Sequence, residues 1–242
     1  YAVTPRAAGA LTARFLEDPS PRLSEGEVMD VDEDALRKGI VSARLYGTLK
    51  VPQAAGFVQN PKSSSPASDR AELEEIADAI AGQMEPDTVY IVGPGTTTRA
   101  IASRLRLEKT LVGVDVVLNG KLIAADANEE RLLSILDARP HAKIIVTPIG
   151  GQGYLFGRGN QQISPAVIRR VGRSNLIVAG TVDKLVALGG RPLLVDTGDE
   201  ETDRLLSGYV RIATGHGRST IYRVSGGAEF TSPSEPHLGH PE

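Results

Sequence analysis

The order of elements predicts an α/β protein built on a largely parallel sheet of strand–loop–helix units with β-hairpins attached. Three observations carry that expectation. Short apolar runs such as TVYIV and KIIVTP alternate with helix-period stretches such as RAELEEIADAIAGQM and NEERLLSILDA. Glycine-rich turns close two of these runs at their carboxyl ends. Asn119-Gly120 lies between two further apolar runs, and that pair favours a two-residue hairpin turn.

Residues 1–51 read as an N-terminal α/β segment: a short strand (YAVTP), a helix (RAAGALTARFLED), a strand around EVMDVD, a polar helix (DEDALRKG) and an alternating strand (VSARLYGTLKVP). The chain opens at Tyr1 without a methionine, so this segment is expected to continue a domain begun upstream. Proline, serine and glycine dominate residues 52–69, which reads as a linker. Residues 70–225 are expected to form one nucleotide-binding α/β domain. Its helices and strands alternate through TVYIV, the loop GPGTTT, TRAIASRL, the Asn119-Gly120 hairpin, NEERLLSILDA, KIIVTP, a glycine loop and SPAVIRRVG. They continue through NLIVAGT, a short helix, RPLLVD, DEETDRLLSG and the pair YVRIATG and STIYRV. Residues 226–242 are polar and proline-containing, and a disordered tail is expected.

Composition excludes several classes. With 40% hydrophobic and 24% charged residues the chain is an ordinary globular one. A net charge of -3 gives no footing for nonspecific nucleic-acid or membrane-surface binding, so neither is expected as a partner. Cysteine is absent, which rules out disulfides, thiol catalysis and thiolate metal sites. No apolar run approaches the roughly 20 residues that span a bilayer, so a cytoplasmic location and a homo-oligomeric assembly are the expectations. The residues present no zinc spacing and no serine–histidine–acid order, and of the four histidines only His216 sits between strands, where a hairpin turn accounts for it.

Ligands of open α/β sheets gather at the carboxyl ends of strands. Two loops qualify. Gly93-Pro94-Gly95-Thr96-Thr97-Thr98-Arg99 follows VYIV and opens a helix, so its backbone amides, three hydroxyls and the positive helix end suit a phosphate. It lacks the lysine of a Walker loop, and a helix-capping threonine is the plain alternative. In the second loop five of the ten residues from Gly150 to Gly159 are glycine. Thr147 ends the preceding strand, Gly150 and Gly151 free the backbone, Tyr154 and Phe156 offer rings, and Arg158 supplies charge. Gln152, Asn160, Gln161 and Gln162 add amides, a set that suits a nucleotide. Between the loops, Asn128 suits a helix N-cap and Glu129 the positive end of the dipole, and the same pair can grip ribose hydroxyls. Asp196 and Asp199 in VDTGDEETD are weak catalytic candidates, since an acidic first helical turn explains them equally well.

Asn128-Glu129 followed by Thr147-Pro148-Ile149-Gly150-Gly151-Gln152-Gly153-Tyr154 resembles the ordered motif pair of the NAD kinase family. That family carries an asparagine–glutamate pair and a threonine-proline-x-glycine-x-x-small-tyrosine loop. The longer run TPIGGQGYLFGRGNQQISP, with GPGTTT, DVV and VDTGDE in order, resembles the predicted ATP- or polyphosphate-dependent branch related to acetoin-catabolism proteins. The resemblance spans residues 1–225. It implies an NAD kinase/diacylglycerol kinase-like fold and phosphoryl transfer from ATP or polyphosphate, with Mg²⁺, to the 2′-hydroxyl of NAD or a related dinucleotide. It also implies that Gly93, Gly95, Thr96, Thr97 and Thr98 bind phosphate, and that Asn128, Glu129, Thr147, Gly150, Gly151, Gln152, Tyr154 and Arg158 hold the dinucleotide. Two departures matter. Ile149, Gly151, Gln152 and Gly153 stand where the common loop has threonine, serine, threonine and alanine, so side-chain contacts from those hydroxyls do not carry over. The family's glycine-glycine-aspartate-glycine segment is not among these residues, so this fragment is expected to bind without turnover. The GPGTTT loop also resembles the sugar-phosphate-sensing domains of bacterial regulators and their isomerase relatives. That likeness implies a noncatalytic sugar-phosphate or nucleotide sensor as the alternative function.

Overall fold

Strand residues alternate between two hydrophobic clusters, one on each face of a sheet, and that alternation sets the architecture. In a computed structural model, which describes residues 5–31, 43–52, 69–110, 112–149, 153–215 and 217–226, Val89 and Ile91 join one cluster while Tyr90 and Val92 join the other. Val116 and Leu118 part from Val117 in the same way, and Ile144 and Val146 from Ile145. Period-2 alternation with both faces apolar is what a strand covered on both sides requires.

The sheet strands are β3 (Val89–Val92), β4 (Asp115–Leu118), β5 (Lys121–Ala124), β6 (Ala142–Val146), β7 (Tyr154–Phe156), β8 (Leu176–Ala179), β9 (Leu193–Val195), β10 (Gly208–Gly215) and β11 (Arg218–Gly226). They lie in the order β5-β4-β3-β6-β8-β10-β11-β9-β7. The pairs β3·β6, β6·β8, β8·β10, β11·β9 and β9·β7 are parallel, whereas β3·β4, β4·β5 and β10·β11 are antiparallel. The helices α2 (Asp69–Ala81) and α3 (Thr96–Arg104) place Ile76, Ile80 and Ile101 on one face. On the other face α4 (Glu129–Ala138), α5 (Pro165–Val171), α6 (Val182–Val186) and α7 (Glu200–Leu206) bury Leu132, Ile135, Val167, Ile168, Leu185 and Leu206. Each such side chain contributes about 1.5–3 kcal/mol when fully withdrawn from water.

The β4–β5 hairpin turns at Asn119 (φ 49°) and Gly120 (φ 69°), both in the left-handed region that this two-residue loop demands. Asn119 also locks the hairpin to the rest of the fold. Its Oδ1 accepts from the Asp87 amide at 2.7 Å and its Nδ2 donates to Asp87 Oδ1 at 2.9 Å.

Ahead of this sheet, α1 (Pro5–Glu17) precedes an antiparallel pair, β1 (Leu23–Val31) and β2 (Ala43–Pro52), in register from Leu23↔Pro52 to Val31↔Ala43. Pro5 opens the helix rather than closing a strand, as suits a residue without an amide hydrogen to satisfy. Tyr1–Thr4 of the expected first strand, the helix expected in DEDALRKG, the body of the linker and the tail from residue 227 lie outside the described residues. No helix among the described residues is long and apolar enough to cross a membrane.

Candidate functional site

Strand direction gathers the predicted loops. β5, β3, β6 and β8 all point the same way, with Ala124 level with Val116, Val92 paired to both Asp115 and Ile145, and Val178 beside Val146. The segments that follow them, Gly93–Gly95, Asp126–Glu129, Thr147–Ile149 and Gly180–Thr181, therefore leave one edge of the sheet. This is the carboxyl edge at which ligands of such sheets bind.

Gly93 and Gly95 serve different ends. The Gly93 amide donates to Ile145 O at 2.9 Å, continuing the β3–β6 ladder, and a Cβ there would stand 3.3 Å from that oxygen. Gly95 has φ 121°, and a Cβ would sit 2.7 Å from Thr147 Cγ2, so only glycine lets the two loops meet. Gly95 is also the N-cap of α3, with no side-chain cap, so none of the three threonines has the capping role that the sequence left open. Thr97 and Thr98 are fully buried, and Thr98 Oγ1 donates to Gly95 O at 3.0 Å. A residue that the sequence reading missed completes the loop. Lys184 Nζ, from the first turn of α6, donates to Thr97 Oγ1 at 3.0 Å and to Thr96 Oγ1 at 3.4 Å. Its only signal was Thr181, a residue able to cap a short helix directly after a strand; Thr181 Oγ1 indeed accepts from the Lys184 amide.

Asn128 is the N-cap of α4, its Oδ1 accepting from the Arg131 amide at 2.9 Å. The cap uses the oxygen and leaves Nδ2 as a donor at the exposed helix start, where Glu129 is exposed as well. A buried network holds this segment to the sheet. Asp115 accepts from the Asp126 amide at 2.7 Å and from the Thr110 amide at 3.0 Å, while Lys109 Nζ donates to the carbonyls of Thr110 and Gly113, both at 2.9 Å. Asp126 has φ 46°, and the Ala127 amide donates to Val114 O at 2.7 Å.

The glycine loop is less open than its composition suggests. Gly150, Gly151 and Gln152 lie outside the described residues, and a strand, β7, follows directly after Gly153. Gly153 (φ 73°) abuts Leu188 and Leu193, and a Cβ on Gly157 (φ 88°) would overlap the Asp196 carbonyl, so these two glycines serve packing. Phe156 is wholly buried and belongs to the core rather than to a ring-stacking surface. Tyr154 is 3% exposed, and the Arg158 guanidinium lies 5.8 Å from its ring centroid. Burial, with the Asp196 carboxylate, raises the Tyr154 pKa, and Arg158 opposes the rise. Asn160 is also fully buried. It accepts from the Gly157 amide at 3.1 Å and donates to Leu155 O at 2.7 Å, so its amide braces the loop.

A family model for the ATP-NAD kinase C-terminal domain matches residues 86–224, more than half of the chain. The chain belongs to that family. The matched span takes in β3 to β10 and most of β11, and with them every loop of the carboxyl edge. Searches of curated proteins and of solved structures return no match.

Within the matched domain the two aspartates of VDTGDE differ. Asp199 caps α7, accepting from the Thr202 amide at 2.8 Å, and pairs with Arg169 at 2.7 Å. The hydrogen bonds from Thr202, with Arg169 beside them, hold its carboxyl below the usual range. Asp196 is half-buried after β9; burial and then the Asp203 carboxylate raise its pKa. Its amide donates to Phe156 O at 3.2 Å, which places it beside Gly157 and Tyr154. β9, and β7 parallel to it, run opposite to β3 and β6, so by strand direction neither Asp196 nor the Gly157–Arg158 turn shares their carboxyl edge. Arg158 is linked to that edge through the ring of Tyr154, which pairs with Ile149.

Proposed function

We propose that this domain holds NAD or a related dinucleotide along its carboxyl edge. There it takes part in transfer of a phosphoryl group from ATP or polyphosphate to the 2′-hydroxyl. The observation that supports this most is convergence. In a chain of the ATP-NAD kinase family, Asn128–Glu129, Thr147 and the Gly93–Thr98 loop leave one sheet edge, and Gly95 touches Thr147. In this reading Asn128 Nδ2 and the Glu129 carboxylate bind ribose hydroxyls, and Gly150, Gly151 and Gln152 approach the dinucleotide beside Thr147. Arg158 faces its charge, with Tyr154 beneath the guanidinium. Gly93, Gly95, Thr96, Thr97 and Thr98 take a phosphate at the helix end.

Phosphoryl transfer asks the protein for in-line positioning and for neutralisation of charge on the moving group. Among the described residues no group of three or more His, Asp or Glu side chains could hold a metal ion, so no step is assigned to a protein-held Mg²⁺. Mg²⁺ carried on the donor phosphates remains part of the proposal. Among the described residues no carboxylate at this edge has a clear role as base, so that role is assigned to none of them. The test is NADP formation by the protein from NAD with ATP or polyphosphate and Mg²⁺. Turnover that Glu129→Gln lowers at least about tenfold supports the reading, since a hydrogen bond to a charged group is lost. Absence of turnover together with tight sugar-phosphate binding would favour the sensor.

A further inference from the structure

The reading of the Gly93–Thr98 loop as a phosphate site says nothing of where its cation comes from, since the loop has no lysine of its own. We propose that Lys184 is that cation. On this inference, which rests on the proposed function, Lys184 and the α3 N-terminus form a subsite for phosphate oxygens.

Three observations meet here. First, Lys184 Nζ is held by Thr97 Oγ1 at 3.0 Å and Thr96 Oγ1 at 3.4 Å. An ammonium can only donate, so both hydroxyls act as acceptors toward it and keep their own hydrogens to give. The two hydroxyl hydrogens beside the ammonium are complementary to a ligand that only accepts. Second, Lys184 lies in the first turn of α6 and against the first turn of α3, which has no side-chain cap. Positive charge is disfavoured at the α3 start, and an anion there reverses the sign of that interaction; at α6 the Val182 amide already donates to the Glu72 carboxylate at 2.9 Å. Third, Thr147 points its side chain at the same loop, with Cγ2 2.7 Å from the Cβ position of Gly95, and is 1% exposed. Its Oγ1 is buried and has no hydrogen-bond partner among the described residues. An unsatisfied buried hydroxyl is costly, and a ligand oxygen that reaches Thr147 beside its contact with Gly95, a contact itself too close to admit another atom, would satisfy it.

The ligand class is a phosphate oxyanion, available either from the phosphoryl donor or from the pyrophosphate of the dinucleotide. Calorimetric titrations of residues 1–242 with inorganic tripolyphosphate and, separately, with NAD distinguish the sources. The wild type is expected to bind tripolyphosphate, Lys184→Met to lose at least about tenfold in affinity, and Lys184→Arg to recover most of the loss. Unchanged NAD affinity in Lys184→Met assigns the subsite to the donor, and a parallel loss assigns it to the dinucleotide. Thr147→Val tests the orphaned hydroxyl without charge. It should leave thermal stability equal or higher while weakening the same ligand, an outcome that a purely structural threonine would not give. Tripolyphosphate affinity unchanged by Lys184→Met, or no binding by the wild type, would overturn the inference. If NAD fails to bind while tripolyphosphate binding depends on Lys184, the subsite stands and the dinucleotide reading falls.

Discussion

Lys109 Nζ lies 3.6 Å from the Asp115 carboxylate, with each side chain only 1% exposed. Asp115 in turn receives the amides of Thr110 and Asp126, so the pair ties the entrance of β4 to the segment that presents Asn128 and Glu129. Breaking a buried pair from one side leaves the other charge uncompensated, at a cost of about 3–5 kcal/mol. Asp115→Asn should therefore lower stability by that order in denaturant unfolding. Lys109→Met should cost less, because Asp115 keeps its amide and hydroxyl donors.

The same pair gives a pH signature. Burial depresses the Lys109 pKa below its unfolded value of 10.5, against the pull of Asp115 and Asp126. The protonated form is thus the less favoured one in the folded state. The stabilisation is complete above the unfolded pKa and is lost as pH falls through the folded pKa. Unfolding free energy should therefore rise with pH between the depressed folded pKa and the unfolded value of 10.5. In Lys109→Met that rise should be absent.

Asn128 combines two tasks that substitution can separate. Asn128→Ala removes the cap on the Arg131 amide and should cost about 1 kcal/mol of stability. Asn128→Ser keeps a good capping oxygen but loses the Nδ2 donor, so its melting temperature should match the wild type while NAD binding weakens. Equal NAD affinity in the serine variant would make Asn128 a cap alone.

Two glycines with nearly the same backbone angle provide a packing test. Gly157 and Gly172 have φ 88° and 85°, yet a Cβ on Gly157 would overlap the Asp196 carbonyl and one on Gly172 would meet nothing within 4 Å. Gly172→Ala should cost only the conformational strain of its extended positive-φ backbone (ψ 147°), about 1–3 kcal/mol. Gly157→Ala should cost clearly more, because β7 and β9 must separate. Comparing the two melting curves checks this.

The sequence made the alternation of strands and helices legible because each core strand is apolar on both faces, as in VYIV and KIIV. It also made legible the loops of the carboxyl edge, since glycine and threonine after a strand have few other uses. What it hid was which side chains the fold buries and brings together. Lys184 reaches Thr97 across 87 residues of chain, and the Lys109–Asp115 pair looks in sequence like two surface charges. Composition was misleading in the glycine loop, where Gly153 and Gly157 bracket a buried strand and Asn160 is spent on loop backbone. Glycine count alone does not distinguish close packing of protein on protein from close approach of a ligand.

The central claim is that one sheet edge holds the dinucleotide, and calorimetric titration of NAD into residues 1–242 tests it most directly when paired with Asn128→Ser and Arg158→Ala. The account predicts saturable one-site binding. Arg158→Ala should weaken it by about 1.5–3 kcal/mol, the worth of a hydrogen bond to a charged group, and Asn128→Ser should weaken it without loss of thermal stability. No saturable heat with NAD, or an affinity that neither substitution changes, would contradict it.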